Sequence, residues 1–143
     1  MATLFHLSTA VSDLDVARGF YCDRLGCRLG RVGPDRIDVD FFGHHVVMHL
    51  NPDEADQGLA TMDSDGDRAP LRHFGVIVDE ATWESVLSRL IATDTYFDYG
   101  PKTIRGGTIA EQKIVMMPDG CGNVVEIKCM PAERVFDAGE SPS

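Results

Sequence analysis

Polar and apolar positions alternate with period two over Phe5–Val11, which predicts a strand with His6, Ser8 and Ala10 on one face. Ser12-Asp13-Leu14-Asp15 has the form of a capping box with Ser12 as the cap, and acidic residues suit the positive end of a helix. The helix predicted over about 13–24 lines up Leu14, Ala17, Phe20, Tyr21 and Leu25, and Gly26 stops it. From Cys27 to Leu50 the pattern changes to three short runs, 27–32, 37–42 and 44–50, separated by Gly33-Pro34-Asp35 and by Gly43. Three hairpin-linked strands follow from this. On the last, His45, Val47 and His49 share one face and His44, Val46 and Met48 the other, so parity alone does not separate His45 from His49.

After an acidic stretch with little periodicity (51–70), which predicts a mobile connection, the same order of elements returns. Arg72–Val78 reads as a strand, Asp79 as an N-cap, and Trp83, Val86, Leu87, Leu90 and Ile91 as the buried stripe of a helix. Strand material follows near 96–99, 112–117 and 123–130. Aligning His6 with His73 gives a repeat period of 73 − 6 = 67 residues. Neither unit is large enough to bury its sheet alone, so the two are expected to combine. The expected architecture is α+β: two βαβββ modules forming an incomplete mixed-sheet barrel with helices outside. A single domain over 1–130 would hold module one (1–51), a linker (52–70) and module two (71–130), with 131–143 as a tail.

Composition narrows the partners. Thirteen Lys and Arg against 23 Asp and Glu leave a net charge of −10, which repels nucleic acid and anionic membranes and favours a small-molecule partner. No apolar run reaches the roughly 20 residues of a membrane helix, and residues 1–10 lack the basic start of a secretory signal, so a cytoplasmic protein is expected. Cys22, Cys27, Cys121 and Cys129 form no CxxC pair and read as reduced structural thiols, with Cys121 in a glycine-flanked turn the most exposed. Asp63-Ser-Asp-Gly-Asp67 departs from a calcium loop in the place of its glycine and in having Phe74 where the twelfth-position Glu belongs.

If the modules combine about one concavity, His6, His49, His73 and Glu126 converge from the first and last strands of each unit. Imidazoles with one carboxylate suit a divalent zinc, nickel or non-haem iron ion. Taken singly, each histidine has a duller reading as a hydrogen-bonded strand residue, and Glu126 as a surface partner of Lys128. A carboxylate between Val125 and Ile127 points into the concavity if those two pack against the helices. His44 and His45 take a strand-entry role by default. Phe41, Phe97 and Tyr99 read as core before pocket wall, and Arg105 and Lys113 as solvated surface.

Four pieces give the chain a family likeness: Phe5-His6 with Val11-Ser-Asp-Leu14, Phe20-Tyr21-Cys-Asp-Arg-Leu-Gly26, His73-Phe-Gly-Val-Ile-Val78, and Asp119-Gly-Cys-Gly-Asn123 leading to Glu126. Together they resemble the vicinal oxygen chelate superfamily of glyoxalase I, extradiol dioxygenases, fosfomycin-resistance enzymes and bleomycin-binding proteins. Gly120 stands where that family usually has proline. The resemblance implies a homodimer and a metal held by His6, His73 and Glu126, with His49 as fourth ligand or acid/base. The stretch Asp40–His49 with Glu111-Gln112 looks more like a glyoxalase-like dioxygenase group. It implies Fe(II) first, with nickel, zinc, manganese or cobalt as alternatives, and catalytic roles for His49 and Glu126. A Lewis-acid lyase or isomerase and a non-catalytic sequestering protein are the competing expectations.

Overall fold

The computed structural model describes residues 3–137. Strand β1 (His6–Val11) leads into α1 (Leu14–Arg18), which continues as a π-helical turn over Gly19–Arg24. The cap is Asp13, not the expected Ser12: its carboxylate accepts the Val16 N–H at 3.0 Å. Strands β2 (Arg28–Val32), β3 (Arg36–Phe41) and β4 (His44–Leu50) complete a sheet of order β1-β4-β3-β2, with β4 parallel to β1. The second module repeats it with β7 (Phe74–Val78), α3 (Glu80–Ala92), β8 (Tyr99–Ile104), β9 (Gln112–Pro118) and β10 (Val124–Cys129), in the order β7-β10-β9-β8. At Gly75 strands β7 and β10 approach so closely that an added Cβ would lie 1.6 Å from the Glu126 carbonyl oxygen, which restricts the position to glycine.

The segment expected to be a mobile connection is ordered. It forms a short helix α2 (Pro52–Ala55) and a hairpin, β5 (Thr61–Ser64) with β6 (Asp67–Pro70). Asp65 and Gly66 take positive φ at the tip, so the acidic run is a tight Asp-Gly turn. The hairpin lies on module two: the Tyr99 hydroxyl donates to the Ser64 carbonyl at 2.8 Å, and Lys102 pairs with Asp67 at 2.6 Å. Ala69, Met62 and Leu59 thereby join Tyr99, Ile104, Ile114, Met116 and Val124 in a second apolar cluster. Of the tail, Ala132–Arg134 forms a 3-10 turn and Phe136 is exposed, while residues 138–143 lie outside those described.

The main core decides which way the functional faces look. Val11, Val39, Val46 and Met48 of the first sheet, Val115, Met117, Val125 and Ile127 of the second, and Ala17, Tyr21, Trp83 and Leu90 of the helices form one cluster. Tyr21 stacks on Phe74 with ring centroids 6.4 Å apart, so the modules meet through their helix-bearing sides. By parity, the faces holding His6 and Glu126 both turn away from this shared core. The expected barrel is thus present as two half-cups with a helix behind each sheet. They do not close over one cavity within a chain.

Candidate metal centre

The Phe20–Gly26 and Asp119–Asn123 motif pieces meet in one buried network. Asp119 is 2% exposed: its Oδ2 accepts the Tyr21 hydroxyl at 2.7 Å and the Asn123 side-chain N–H at 3.0 Å, while Oδ1 accepts the backbone N–H groups of Cys121 and Asn123. Burial, and then the neighbouring Asp119 charge, push the Tyr21 hydroxyl pKa well up, so it remains a donor. Asn123 also donates to the Ala10 carbonyl at 2.9 Å. One carboxylate therefore shapes the turn before β10 and ties it to β1. Cys121, expected to be the most exposed thiol, is 1% exposed, and burial raises its pKa far above the thiol range. The same effect lifts Cys27 to about 12. The free thiols are structural residues, not nucleophiles.

In module two, His73 and Glu126 come together. Glu126 lies between Val125 and Ile127, both in the core, and its carboxylate is on the opposite face with 5% exposure. His73 Nε2 is 3.5 Å from Glu126 Oε1, and Lys128 Nζ is 3.6 Å from the same oxygen. His73 Nδ1 faces the Pro70 carbonyl at 3.1 Å; a carbonyl only accepts, so Nδ1 carries hydrogen. In the neutral ring Nε2 then presents a lone pair toward a carboxylate oxygen. Two acceptors so placed need a proton or a cation between them. The Glu126 hydrogen bond accordingly raises the His73 pKa, against the opposing effect of burial. These donors suit a divalent ion, with the Pro70 carbonyl holding the imidazole in the ligating tautomer.

In module one, His6 is engaged differently. Its Nδ1 lies 2.9 Å from Nδ1 of His45, directly across the strand pair, and His45 Nε2 lies 3.1 Å from buried Asp38. Arg31 Nε is 3.3 Å from the same Asp38 oxygen; the His45 contact above all holds the Asp38 carboxyl below its usual pKa. His44 takes the strand-entry role, accepting the Phe5 N–H at 3.0 Å. His49 is exposed and pairs across from Ala10 and Arg36. It stands four residues beyond His45 on β4, roughly 13 Å along the strand at about 3.3 Å per residue.

The register also corrects the symmetry on which His49 was matched to Glu126. The offset that takes His6 to His73 takes Ser8 to Gly75. Gly75 pairs with Glu126 and Ser8 with Val47, so the counterpart of Glu126 is Val47. Among the described residues no three His, Cys, Asp or Glu side chains gather as a metal-binding group within one chain. His73 and Glu126 are together, whereas His6 is on the other half-cup. Asp38 is not singled out by the sequence, and His45 is undistinguished from His49 there. Their shared face with His6 was the available signal, and it required the strand register. Of the other candidates, Phe41 is core, Phe97 packs against it, and Lys113 pairs with Glu80 at 2.9 Å.

Similarity to known proteins defines the family. Residues 3–127 match the model of the Glyoxalase/Bleomycin resistance protein/Dioxygenase superfamily, and the chain belongs to it. A crystal structure of a glyoxalase/bleomycin resistance protein/dioxygenase from Alicyclobacillus acidocaldarius is 30% identical, with 94% of this chain and 96% of that one covered at a TM-score of 0.79. Two more distant structures share the fold. The fosfomycin resistance protein FosX of Listeria monocytogenes, complexed with Mn(II) and sulfate, is 12% identical, with 94% of each chain covered and a TM-score of 0.67. Lactoylglutathione lyase from Agrobacterium tumefaciens is 15% identical, with 96% of this chain and 98% of that one covered and a TM-score of 0.61. No curated protein sequence matches the chain. Among the described residues no helix is long and apolar enough to cross a membrane.

Proposed function

We propose that two copies of this chain build a divalent-metal site, with His73 and Glu126 from one copy and His6 from the other, and that the homodimer cleaves a small aromatic diol as an extradiol-type dioxygenase. The observation behind this reading is the division of the donors. Two stand 3.5 Å apart on one half-cup, and the third lies on a half-cup that also faces away from the core. Each chain thus presents two incomplete sites, which a twofold pair would complete together.

The choice of reaction rests on Val47. A hydrocarbon occupies the counterpart of Glu126, so the set has two imidazoles and one carboxylate. Such a set would hold an Fe(II) ion through three donors and leave room on it for two adjacent substrate oxygens and for dioxygen. Nickel, zinc, manganese and cobalt fit the same donors. Lys128, 3.6 Å from Glu126, places a cation beside the ligands where a substrate oxygen bears negative charge. A four-ligand Lewis-acid lyase is less well served, because neither Val47 nor the displaced His49 supplies the fourth donor.

Tag-free protein prepared anaerobically and analysed for metal, then mixed with catechols in an oxygen electrode, tests the reading. The expected result is stoichiometric iron with catechol-dependent oxygen uptake. Isomerisation of a hemithioacetal under argon, with no oxygen uptake, would transfer the protein to the lyase class. Protein that takes up no divalent metal would be a binding protein.

A further inference from the structure

Asp38 is an expensive residue for this sheet. It is 4% exposed, and its Oδ1 is buried without a hydrogen-bond partner, an arrangement that carries a desolvation penalty. Its Oδ2 is taken by His45 Nε2 at 3.1 Å and Arg31 Nε at 3.3 Å. The neighbouring Gly30 leaves room for it: a Cβ there would come within 3.2 Å of Asp38 Cβ. What this carboxylate does to His45 is the more informative question.

We propose that Asp38 and His45 are positioning residues that set the tautomer of His6, leaving His6 Nε2 as the free lone pair. This rests on the reading of His6 as a metal ligand. An ionised carboxylate only accepts, so the hydrogen in the Asp38 contact belongs to His45 Nε2. Neutral His45 then has its lone pair on Nδ1, the atom 2.9 Å from His6 Nδ1. That contact needs one hydrogen, and His6 Nδ1 supplies it. The planes of the two rings are 20° from parallel and their centroids 4.9 Å apart, so the pair is held by ring stacking as well as by the nitrogen contact. His6 Nε2 is left unprotonated. In module two the Pro70 carbonyl sets His73 in the same way. The two modules reach one result by different means, a backbone carbonyl in one and a carboxylate acting through a second imidazole in the other.

Long-range 1H–15N NMR on the metal-free full chain reads the tautomer directly. Wild type should show His6 as the Nδ1–H form. Asp38→Leu leaves His45 Nε2–H without its acceptor, so the His45 tautomer is no longer fixed and His6 should show a mixture of Nδ1–H and Nε2–H forms. Zn(II) affinity, measured by competition with a chelator, should fall about 10- to 100-fold in Asp38→Leu and in His45→Phe. His45→Gln, whose amide oxygen can still accept from His6, should stay near wild type. Where Asp38→Leu does not fold, His45→Phe and His45→Gln decide. His6 in the Nε2–H form in wild type, or unchanged Zn(II) affinity in His45→Phe, overturns the proposal. Wild-type protein that takes up no Zn(II) defeats the shared-site reading instead, while the tautomer measurement still decides this one.

Discussion

A site shared between copies makes a quantitative prediction that a site within one chain does not. His6→Ala and His73→Ala should each abolish metal binding alone. In a mixed dimer, one site inherits both substitutions. The other pairs the intact His6 of the second variant with the intact His73 and Glu126 of the first. Mixed dimers isolated by two different non-histidine tags should therefore hold about half the wild-type Zn(II) per dimer, and an unfractionated equal mixture about a quarter, because half its dimers are mixed. The single-chain geometry sets these fractions. His73 and Glu126 are 3.5 Å apart and travel together, whereas His6 is tied to His45 on the opposite half-cup. Inductively coupled plasma analysis of dimers collected by size exclusion reads the result. Metal-free mixed dimers, or full occupancy in His73→Ala alone, would refute the shared site.

Three further outcomes follow from named contacts. Tyr21→Phe removes the hydroxyl donated to buried Asp119 and should cost about 1.5–3 kcal/mol in urea unfolding; a loss under about 0.5 kcal/mol would show that the remaining donors hold the turn unaided. In metal-free protein the raised His73 pKa stabilises the fold below the unfolded value near 6.5, and that contribution is lost as pH rises through the folded value. The melting-temperature advantage of wild type over His73→Gln should therefore shrink between about pH 5.5 and about pH 8.5, while Zn(II) affinity rises as the competing proton leaves; a pH-independent difference contradicts the Glu126 contact. His49→Ala should retain wild-type Zn(II) affinity, since His49 is displaced along β4, and a tenfold loss would return it to the ligand set.

Much of this protein was legible in the order of its residues. Period-two runs, helical stripes and glycine punctuation identified the two βαβββ units, because each signal is local and a strand or helix face is set by spacing alone. His73 and Glu126 were also within reach, since they sit at the start and end of the second unit. The ordered hairpin at 61–70 was missed because its acidic composition concealed an Asp-Gly turn, and Cys121 was misplaced because nothing local shows that Asp119 buries its turn.

Register and module packing were decided only in three dimensions. Alternation puts His45, Val47 and His49 on one face, yet only pairing across β1 shows that His45 meets His6, that Val47 answers Glu126, and that His49 lies beyond both. A sheet face is equally apolar whichever neighbour covers it, so the pattern left open whether the half-cups close on each other or turn outward. Tyr21, Phe74 and Trp83, packed into one core with both sheets, settle that they turn outward.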